Sequence, residues 1–248
     1  MRPCDAARIS RSPRYAAVAG SPRVTNRREV ITAMQMLESA SLIGLMRRTD
    51  ALAGEVGLFR RDAVLGVGGY DPRMATEDIE LTWRLLEAGH LTAFEPHALV
   101  GVQGPQSVRG IWAQRTRWAR GQGEVLRTHA RTVVRPRQFT LWLIAAEALL
   151  SYVWVIAMLT ATVWGVVHWI GHPGDTKFRW MIAWGVGIAV AVELRPDLRL
   201  PYACLLLPGY PLAYWTINAL AAITAQTSGL LRGPRKRRVV WDLPRSST

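Results

Sequence analysis

The sequence predicts an α/β domain followed by a helical membrane region. Over about the first hundred residues, short strand candidates alternate with helix candidates, beginning with the apolar run from Tyr15 to Ala19. The second half is richer in apolar residues, and the stretch from Phe139 to Ile170 is apolar except for Glu147. As a helix, the part from Ala148 to Ile170 would rise about 34 Å, enough for a hydrocarbon core about 30 Å thick.

The stretch from Thr76 to Gly89 carries the signals of a complete amphipathic helix. Thr76 can cap its start by accepting a hydrogen bond from a backbone N–H, and Gly89 suits the left-handed turn that ends a helix. One apolar stripe recurs between them at helical spacing, formed by Ile79, Trp83 and Leu86. Glu77 and Asp78 fall in the first turn, where the helix dipole favours negative charge. The pattern predicts two carboxylates at the start of a buried helix, although a well-capped core helix needs no function to explain it.

A second motif, Gln114-Arg115-Thr116-Arg117-Trp118, lies in a helix predicted from about Gln106 to His129. Tryptophan and arginine are interleaved along this helix, which is typical of a helix at a membrane surface. The Glu-Asp pair, the Gln-x-x-Arg-Trp motif about 35 residues later and the long apolar segments that follow resemble the processive family 2 glycosyltransferases. These are membrane synthases of cellulose, chitin, hyaluronan and poly-β-1,6-N-acetylglucosamine.

Three further segments make the sequence most similar to the poly-N-acetylglucosamine synthase branch: Phe59 to Ala63, Phe94 to Pro96 and Tyr210 to Trp215. The resemblance extends from about Tyr15 to Trp241, and it implies a partial GT-A (Rossmann-like) glycosyltransferase fold. The expected organisation is an irregular N-terminal remnant at 1–14, the C-terminal part of the GT-A domain at 15–105, an interfacial helix region at 106–138, membrane helices at 139–231 and a basic cytoplasmic tail at 232–248.

The number of membrane crossings stays open at two or three. Phe178 to Val192 would rise only about 22 Å, and Leu200 to Ala225 is interrupted by three prolines. The basic tail favours a cytoplasmic C-terminus, and the resemblance implies a cytoplasmic catalytic face on a bacterial inner membrane. Both conditions require an even number of crossings, so either the short second segment is interfacial or re-entrant, or the charge rule fails here.

The resemblance also implies the chemistry of an inverting transfer from a nucleotide diphosphate sugar. Asp78 would be the base that takes the proton of the acceptor hydroxyl, with Thr76 and Glu77 shaping the turn that presents it. Glu80 would point about 200° away from Asp78 and take no part. The departing diphosphate would be neutralised by a divalent metal, Mg²⁺, and by three side chains of the second motif, Gln114, Arg115 and Arg117.

Three other features of the sequence have competing interpretations. Trp118 is either the floor for a sugar ring near the acceptor or an anchor at a membrane interface. His168 and His172 are four residues apart, which would suit a metal, but their position at the end of the first apolar run favours an interfacial pair. Cys4 and Cys204 indicate neither a metal site nor a disulfide framework.

An absence limits the expected activity. Relatives of this kind begin with a uracil-binding strand and an Asp-x-Asp motif that holds the metal, and the part matched here follows both. The metal ligands are therefore expected to be absent from this chain, which would be the C-terminal part of a synthase and inactive alone. The expected reaction is transfer of N-acetylglucosamine from UDP-N-acetylglucosamine to a growing β-1,6-linked polysaccharide. The alternatives are a non-catalytic membrane remnant and a synthase of another polysaccharide.

The expected partners are a UDP-sugar, a polysaccharide acceptor, the lipid bilayer and a small membrane subunit. The formal net charge of +13 comes from 31 Lys and Arg residues against 18 Asp and Glu residues, and only Lys177 and Lys236 are lysines. Arginine's planar fork suits phosphate groups, but cytoplasmic membrane proteins also gather positive charge beside their helices. Nucleic-acid binding would explain the charge but not the long apolar runs, so no nucleic-acid partner is predicted. Met1 to Arg14 lacks the apolar core of a signal peptide.

Overall fold

The computed structural model describes residues 12–26, 32, 35, 57–134, 139–172 and 216–236. Residues 28–48 carry apolar side chains at helical spacing, which predicts a helix. Thr32 and Gln35 are helical and buried, in agreement with it, and the rest of that segment lies outside the described residues. The same holds for most of the N-terminal remnant, the second apolar segment, the third apolar segment up to residue 215 and the end of the basic tail.

The described strands form one mixed sheet in the order β2-β1-β3. β1 (Tyr15–Val24) lies in the centre, parallel to β3 (Leu91–Val102) and antiparallel to the short β2 (Gly57–Phe59). β1 continues past Ala19, where the apolar run that predicted it ends, because β3 provides a parallel partner for each of the last four residues. Alanines on both faces of β1 are fully buried: Ala16, Ala17 and Ala19.

β3 is one continuous strand. The short runs Leu91 to Phe94 and Ala98 to Val102 instead predict two strands, separated by Glu95-Pro96-His97. The predicted break remains as an irregularity in the pairing with β1. Ala19 lies opposite Phe94, but Ser21 lies opposite Leu99. The additional residues of β3 form a bulge, and a bulge is one of the few places where a strand tolerates proline. The prediction of two strands was therefore wrong because the bulge keeps both halves in one ladder.

Two helices between β2 and β3 form where the sequence predicts them. α1 (Arg61–Gly66) forms where the sequence predicts a helical turn from Arg61 to Leu65, and α2 (Glu77–Glu87) matches the helix predicted after Thr76. Gly89 has a φ of 86°, in the left-handed region that favours glycine, and so ends α2 as expected.

The remaining helices begin with α3 (Val108–Thr128), which carries the second motif. Ser107 caps α3, since its Oγ accepts a hydrogen bond from the backbone N–H of Gly110 at 3.1 Å. The predicted helix is confirmed with slightly narrower bounds. The helices that follow are α4 (Ala130–Val133), α5 (Phe139–Gly171), α6 (Thr216–Ala221), a π-helical turn (Ala222–Gln226) and α7 (Thr227–Arg232).

α2 is buried on two sides and lies between the sheet and a layer of helices. One side packs on β1 and α1 and contributes Leu81 and Leu85. The other side packs on α3 and α5 and carries the predicted stripe of Ile79, Trp83 and Leu86. The stripe is confirmed, and the second buried face was not predicted because it interleaves with polar residues.

α5 has 33 residues and is about 50 Å long. Its beginning packs on α2 and α3 through Leu141 and Ala145, and Val155 packs on the α6 segment. Much of its remaining apolar surface is exposed, including Leu149, Leu150, Val153, Ile156, Val163, Trp164, Val167, Trp169 and Ile170.

Within the part of the chain that the structure describes, no helix combines the length and the apolar character needed to cross a membrane. The helix predicted from Ala148 to Ile170 does form, as part of α5, but the crossing predicted for it is not supported.

α3 and α7 approach each other at two glycines. A Cβ on Gly123 would lie 2.7 Å from the backbone nitrogen of Leu230, and a Cβ on Gly229 would lie 3.0 Å from the backbone nitrogen of Glu124. A larger residue at either position would force the two helices apart.

Candidate active site

The residues from Met74 to Asp78, here called the acidic turn, lead into α2 and pass from buried to half-buried. Met74, Ala75 and Thr76 are buried, whereas Glu77 and Asp78 are half-buried. The backbone N–H of Ile79 donates to Oδ1 of Asp78 at 2.8 Å and orients that carboxylate. Two carboxylates are thus held near the surface by a buried anchor.

Thr76 precedes α2 as predicted, but its side chain makes no capping hydrogen bond. The side chain is only 4% exposed and packs against α3, where a Cβ on Gly121 would lie 2.5 Å from Cγ2 of Thr76. The predicted cap is wrong because the packing against α3 turns Thr76 away from its own helix. The acidic turn therefore rests directly on the helix that carries the second motif.

The second motif lies on the same part of α3 as this contact. Gln114, Trp118 and Gly121 follow one another at helical spacing and share a face of α3, with Arg117 at its edge. The contact between Thr76 and Gly121 therefore places the acidic turn about one helical turn from Arg117 and Trp118. The turn that holds the first predicted group of site residues therefore packs on the helix that carries the second group, with Gly121 as the point of contact.

Gln35, to which the sequence assigned no chemistry, fixes the first residue of the motif. Its Nε2 donates a hydrogen bond of 2.8 Å to Oε1 of Gln114, across 79 positions of the chain. Gln35 is buried and helical, so this bond ties the amide of Gln114 to a residue that precedes β2 in the chain.

Arg115 and Trp118 form a cation–π pair. The guanidinium carbon of Arg115 lies 4.5 Å from the ring centroid of Trp118, and Arg115 is only 6% exposed. Arg117 is half-buried. Arg115 therefore supports the indole ring from within, whereas Arg117 is the more accessible arginine of the motif.

A glycine loop precedes the acidic turn and is fixed to α2. Gly68 and Gly69 have φ values of 89° and 75°, which favour glycine. Arg84 donates hydrogen bonds to the carbonyl oxygens of Val67 and Gly69. The loop presents Tyr70, whose pKa is raised by burial and then by the charges of the two carboxylates in the acidic turn.

Glu80 lies in the interface between α2 and α3, where it is only 4% exposed. Both of its oxygens accept hydrogen bonds of 2.7 Å from Arg84. Nε2 of His129 lies 3.6 Å from Oε1 of Glu80, an ion-pair separation, and Nδ1 of His129 lies 2.7 Å from Oε1 of Glu87. Glu80 points away from Asp78 as expected, and the same rotation directs it into a buried ion network.

The charges in this network stabilise one another. Burial alone would raise the pKa of Glu80, but His129 and Arg84 outweigh it and lower that pKa. Burial alone would lower the pKa of His129, but Glu80 and Glu87 outweigh it and raise that pKa. The network favours a carboxylate beside an imidazolium and joins the end of α3 to α2.

The resemblance implies Mg²⁺, but the described residues do not fit a metal site. No three His, Cys, Asp or Glu side chains come together among them, and the acidic turn offers two carboxylates alone. No chemical step is therefore derived through a metal. His168 and His172 stack with ring centroids 4.7 Å apart near the end of α5.

Gly121 and Glu124 contact the acidic turn and were not predicted as part of the site. Glu124 is the one acidic residue of α3, and Gly121 stands inside a helix, where glycine costs about 1 kcal/mol relative to alanine. Both were visible in the sequence as exceptions to an arginine-rich helix. Their partners in the acidic turn, Thr76 and Ala75, lie 45 or more positions earlier, and nothing in the sequence indicated these contacts.

The arrangement of this mixed sheet and its helices is the GT-A-like α/β fold of glycosyltransferases. The chain is similar in structure to the mannosyltransferase PcManGT from Pyrobaculum calidifontis, solved in complex with GDP-Man and Mn²⁺. The TM-score is 0.52 at 19% sequence identity, and the match covers 89% of this chain and 55% of that one.

Residues 4–221 match the family described as Glycosyl transferase family group 2, and the chain belongs to that family. It is 30% identical over 240 residues to poly-beta-1,6-N-acetyl-D-glucosamine synthase from Staphylococcus aureus (strain COL), covering 89% of this chain and 58% of the relative. It is 28% identical over 244 residues to the synthase of the same name from Staphylococcus epidermidis, covering 90% of this chain and 59% of the relative. The chain thus spans less than two thirds of the length of these relatives.

Proposed function

We propose that the chain takes part in an inverting transfer of N-acetylglucosamine from UDP-N-acetylglucosamine to a growing β-1,6-linked polysaccharide. The observation that carries the proposal is the contact of Thr76 with Gly121, which lies about one helical turn from Arg117 and Trp118 on α3. The turn that holds two carboxylates therefore packs next to the second motif. Family membership supports glycosyl transfer, and the names of the Staphylococcus relatives support the sugar and the linkage.

Asp78 is the proposed general base. The acceptor hydroxyl must lose its proton as its oxygen bonds to the anomeric carbon and the bond from that carbon to the diphosphate breaks. A carboxylate within hydrogen-bond reach takes this proton. The half-buried position of Asp78 and the hydrogen bond that orients it suit this role. Thr76 and Glu77 are proposed to shape the turn that presents it.

Arg117 is the proposed principal contact of the departing diphosphate, since a guanidinium binds phosphate oxygens bidentately. Gln114, held by Gln35, is proposed to add an amide contact. Arg115, buried over Trp118, is proposed to hold that ring as the floor for a sugar. These roles divide the motif between charge neutralisation and positioning.

Two alternatives come from the same site. A synthase of a cellulose-, chitin- or hyaluronan-like polysaccharide would use the same base and the same diphosphate contacts. A non-catalytic remnant would keep the packing of the acidic turn without using its charge. The sugar and the linkage in the product together separate the first alternative from our proposal, and the presence of any transfer separates the second.

The test is incorporation of labelled sugar by a hybrid enzyme, in which the 248-residue chain is joined to the part of the Staphylococcus aureus synthase outside the shared region. We expect incorporation from UDP-N-acetylglucosamine into a β-1,6-linked product and none above background from UDP-glucose. The 248-residue chain assayed alone is expected to incorporate none. A hybrid that binds UDP-N-acetylglucosamine and yet transfers nothing would favour the remnant.

We also propose that the protein contacts a lipid bilayer at an inner membrane, with the acidic turn on the cytoplasmic side. Exposed apolar side chains along α5 support the contact, and they include Trp164 and Trp169 near its end, where tryptophan suits a membrane interface. Several crossings and a small membrane partner subunit belong to the same proposal.

Extraction of membranes with alkaline carbonate tests the bilayer contact. We expect the 248-residue chain to stay in the membrane pellet and to be released by detergent, because the exposed apolar face of α5 would otherwise lie in water. Release by carbonate alone would contradict the proposal and would favour a basic, peripherally bound protein.

A further inference from the structure

The buried half of the acidic turn is anchored on α3 by three successive residues. Met74 is 1% exposed and packs in the cluster that contains Val125 and Leu126 of α3. The side chain of Thr76 lies against Gly121 of the same helix. Between them, the backbone N–H of Ala75 donates a hydrogen bond of 2.9 Å to Oε2 of Glu124.

Glu124 is fully buried, with no exposed surface. Its other oxygen, Oε1, accepts a hydrogen bond of 2.7 Å from Nε of Arg120, one turn earlier on α3. A buried ion pair is weak support for stability, because desolvation offsets its attraction, and hydrophobic residues of similar volume often serve as well. An apolar side chain in place of Glu124 would leave the N–H of Ala75 without this acceptor.

We propose that Glu124 is a positioning residue for the transfer, and that Gly121 provides the surface on which it holds the turn. The carboxylate of Glu124 fixes the backbone at Ala75, three residues before Asp78. It therefore sets the position of the Asp78 carboxylate relative to Arg117 and Trp118. α3 then carries both the contacts for the leaving group and the anchor of the base, which fixes the distance between them on one rigid element. The proposal rests on the proposed function, in which Asp78 is the base.

The spacing of residues along α3 supports the proposal that this helix carries both the leaving-group contacts and the anchor of the base. Gly121 follows Arg117 by four residues, and Glu124 follows Gly121 by three, so all three lie along one side of the helix. Alanine at position 121 would bring a Cβ to 2.5 Å from Cγ2 and 2.8 Å from Cβ of Thr76. These atoms belong to the turn itself, which would have to move away from α3.

The first measurement uses the 248-residue chain in detergent and reads hydrogen exchange in peptides that contain Ala75. Glu124→Gln keeps the volume, but its NH₂ group must face either the N–H of Ala75 or the guanidinium of Arg120. We expect faster exchange in this segment. Glu87→Gln is the matched control, because Glu87 also accepts hydrogen bonds from other elements, from His129 after α3 and from Thr132 of α4. Glu87 is the last residue of α2, at the opposite end of that helix from the turn. The control substitution should leave the exchange of this segment unchanged.

The second measurement uses the hybrid enzyme. We expect Glu124→Gln to lower kcat about 10²-fold, the cost of a misplacement of about 1 Å, while the KM for UDP-N-acetylglucosamine changes little. Glu87→Gln should lower thermal stability and leave kcat near that of the parent. Gly121→Ala should lower kcat in the same way as Glu124→Gln. Gly66→Ala should leave kcat unchanged, because a Cβ at this position would lie in open space.

Equal kcat values for Glu124→Gln and Glu87→Gln would overturn the proposal, as would unchanged exchange at Ala75. If Glu124→Gln does not fold, Gly121→Ala decides the question against Gly66→Ala. A hybrid in which Asp78→Asn has no effect would refute the base assignment instead, and the exchange measurement would still judge the anchor by itself.

Discussion

Asp78→Asn in the hybrid enzyme is expected to lower the rate of sugar transfer by about 10²- to 10⁴-fold, the usual contribution of a general base. The substitution preserves the size of the side chain and an oxygen that can accept the N–H of Ile79, but it removes the proton acceptor. Binding of UDP-N-acetylglucosamine should stay close to that of the parent, since the leaving group is assigned to α3. Initial rates with labelled donor and equilibrium binding of the donor measure the two quantities.

Asp62→Asn is the matched control for this prediction. Asp62 is an exposed acid and the second residue of α1, as Asp78 is the second residue of α2. Asp62→Asn therefore replaces the same chemical group at the same position of a different helix. We expect it to retain the parent's rate. Similar and mild losses in both variants would remove Asp78 from the mechanism, and the acidic turn would then be a structural helix start.

Glu80→Gln is expected to lower the stability of the 248-residue chain by about 3 kcal/mol, at the lower end of the range for breaking a buried ion pair. The lower end applies because the side chain of Arg84 is still 22% exposed. For a chain of this size, the loss corresponds to a fall of about 6–12 °C in the midpoint of thermal unfolding. The variant also loses the attraction between Glu80 and His129.

Asp71→Asn tests whether the large loss of stability expected for Glu80→Gln is due to the burial of its ion pair. Asp71 and Arg73 form an ion pair of the same bidentate geometry, with two contacts of 2.9 and 2.7 Å, but the side chain of Arg73 is 60% exposed. An exposed pair contributes about 0–1 kcal/mol. We therefore expect a much smaller change in the unfolding midpoint than for Glu80→Gln. Equal changes in the unfolding midpoint would show that burial does not increase the contribution of the Glu80 ion pair to stability.

The sequence predicted the elements whose signals are local. The periodic stripe of Ile79, Trp83 and Leu86 and the terminal Gly89 defined α2, because a helix repeats every 3.6 residues whatever surrounds it. The two groups of site residues, at Asp78 and at Arg117, came from the resemblance. The structure packs the acidic turn on the helix that carries the second group, while the roles of both groups stay predictions.

The features that the sequence did not predict depend on partners distant along the chain. Whether Glu80 is exposed or buried depends on His129, 49 positions later, and the periodicity of α2 alone is compatible with both. The orientation of Thr76 depends on the absence of a side chain at Gly121. The single strand β3 depends on β1, which holds both halves of β3 across the bulge. In each case the local pattern allowed two outcomes, and a long-range contact selected one.

The π-helical turn from Ala222 to Gln226 has a consequence for the evolution of this chain. A π turn holds one residue more than an α turn, so it rotates the helix after it by about 100° relative to the helix before it. Ala219 and Ala222 meet α5 before and at the start of this offset, and Gly229 meets α3 after it. Loss of a single residue from this turn would rotate α7 relative to α6. Either α5 or α3 would then face side chains that do not fit it. Substitutions within the turn are therefore expected to accumulate more readily than changes in its length.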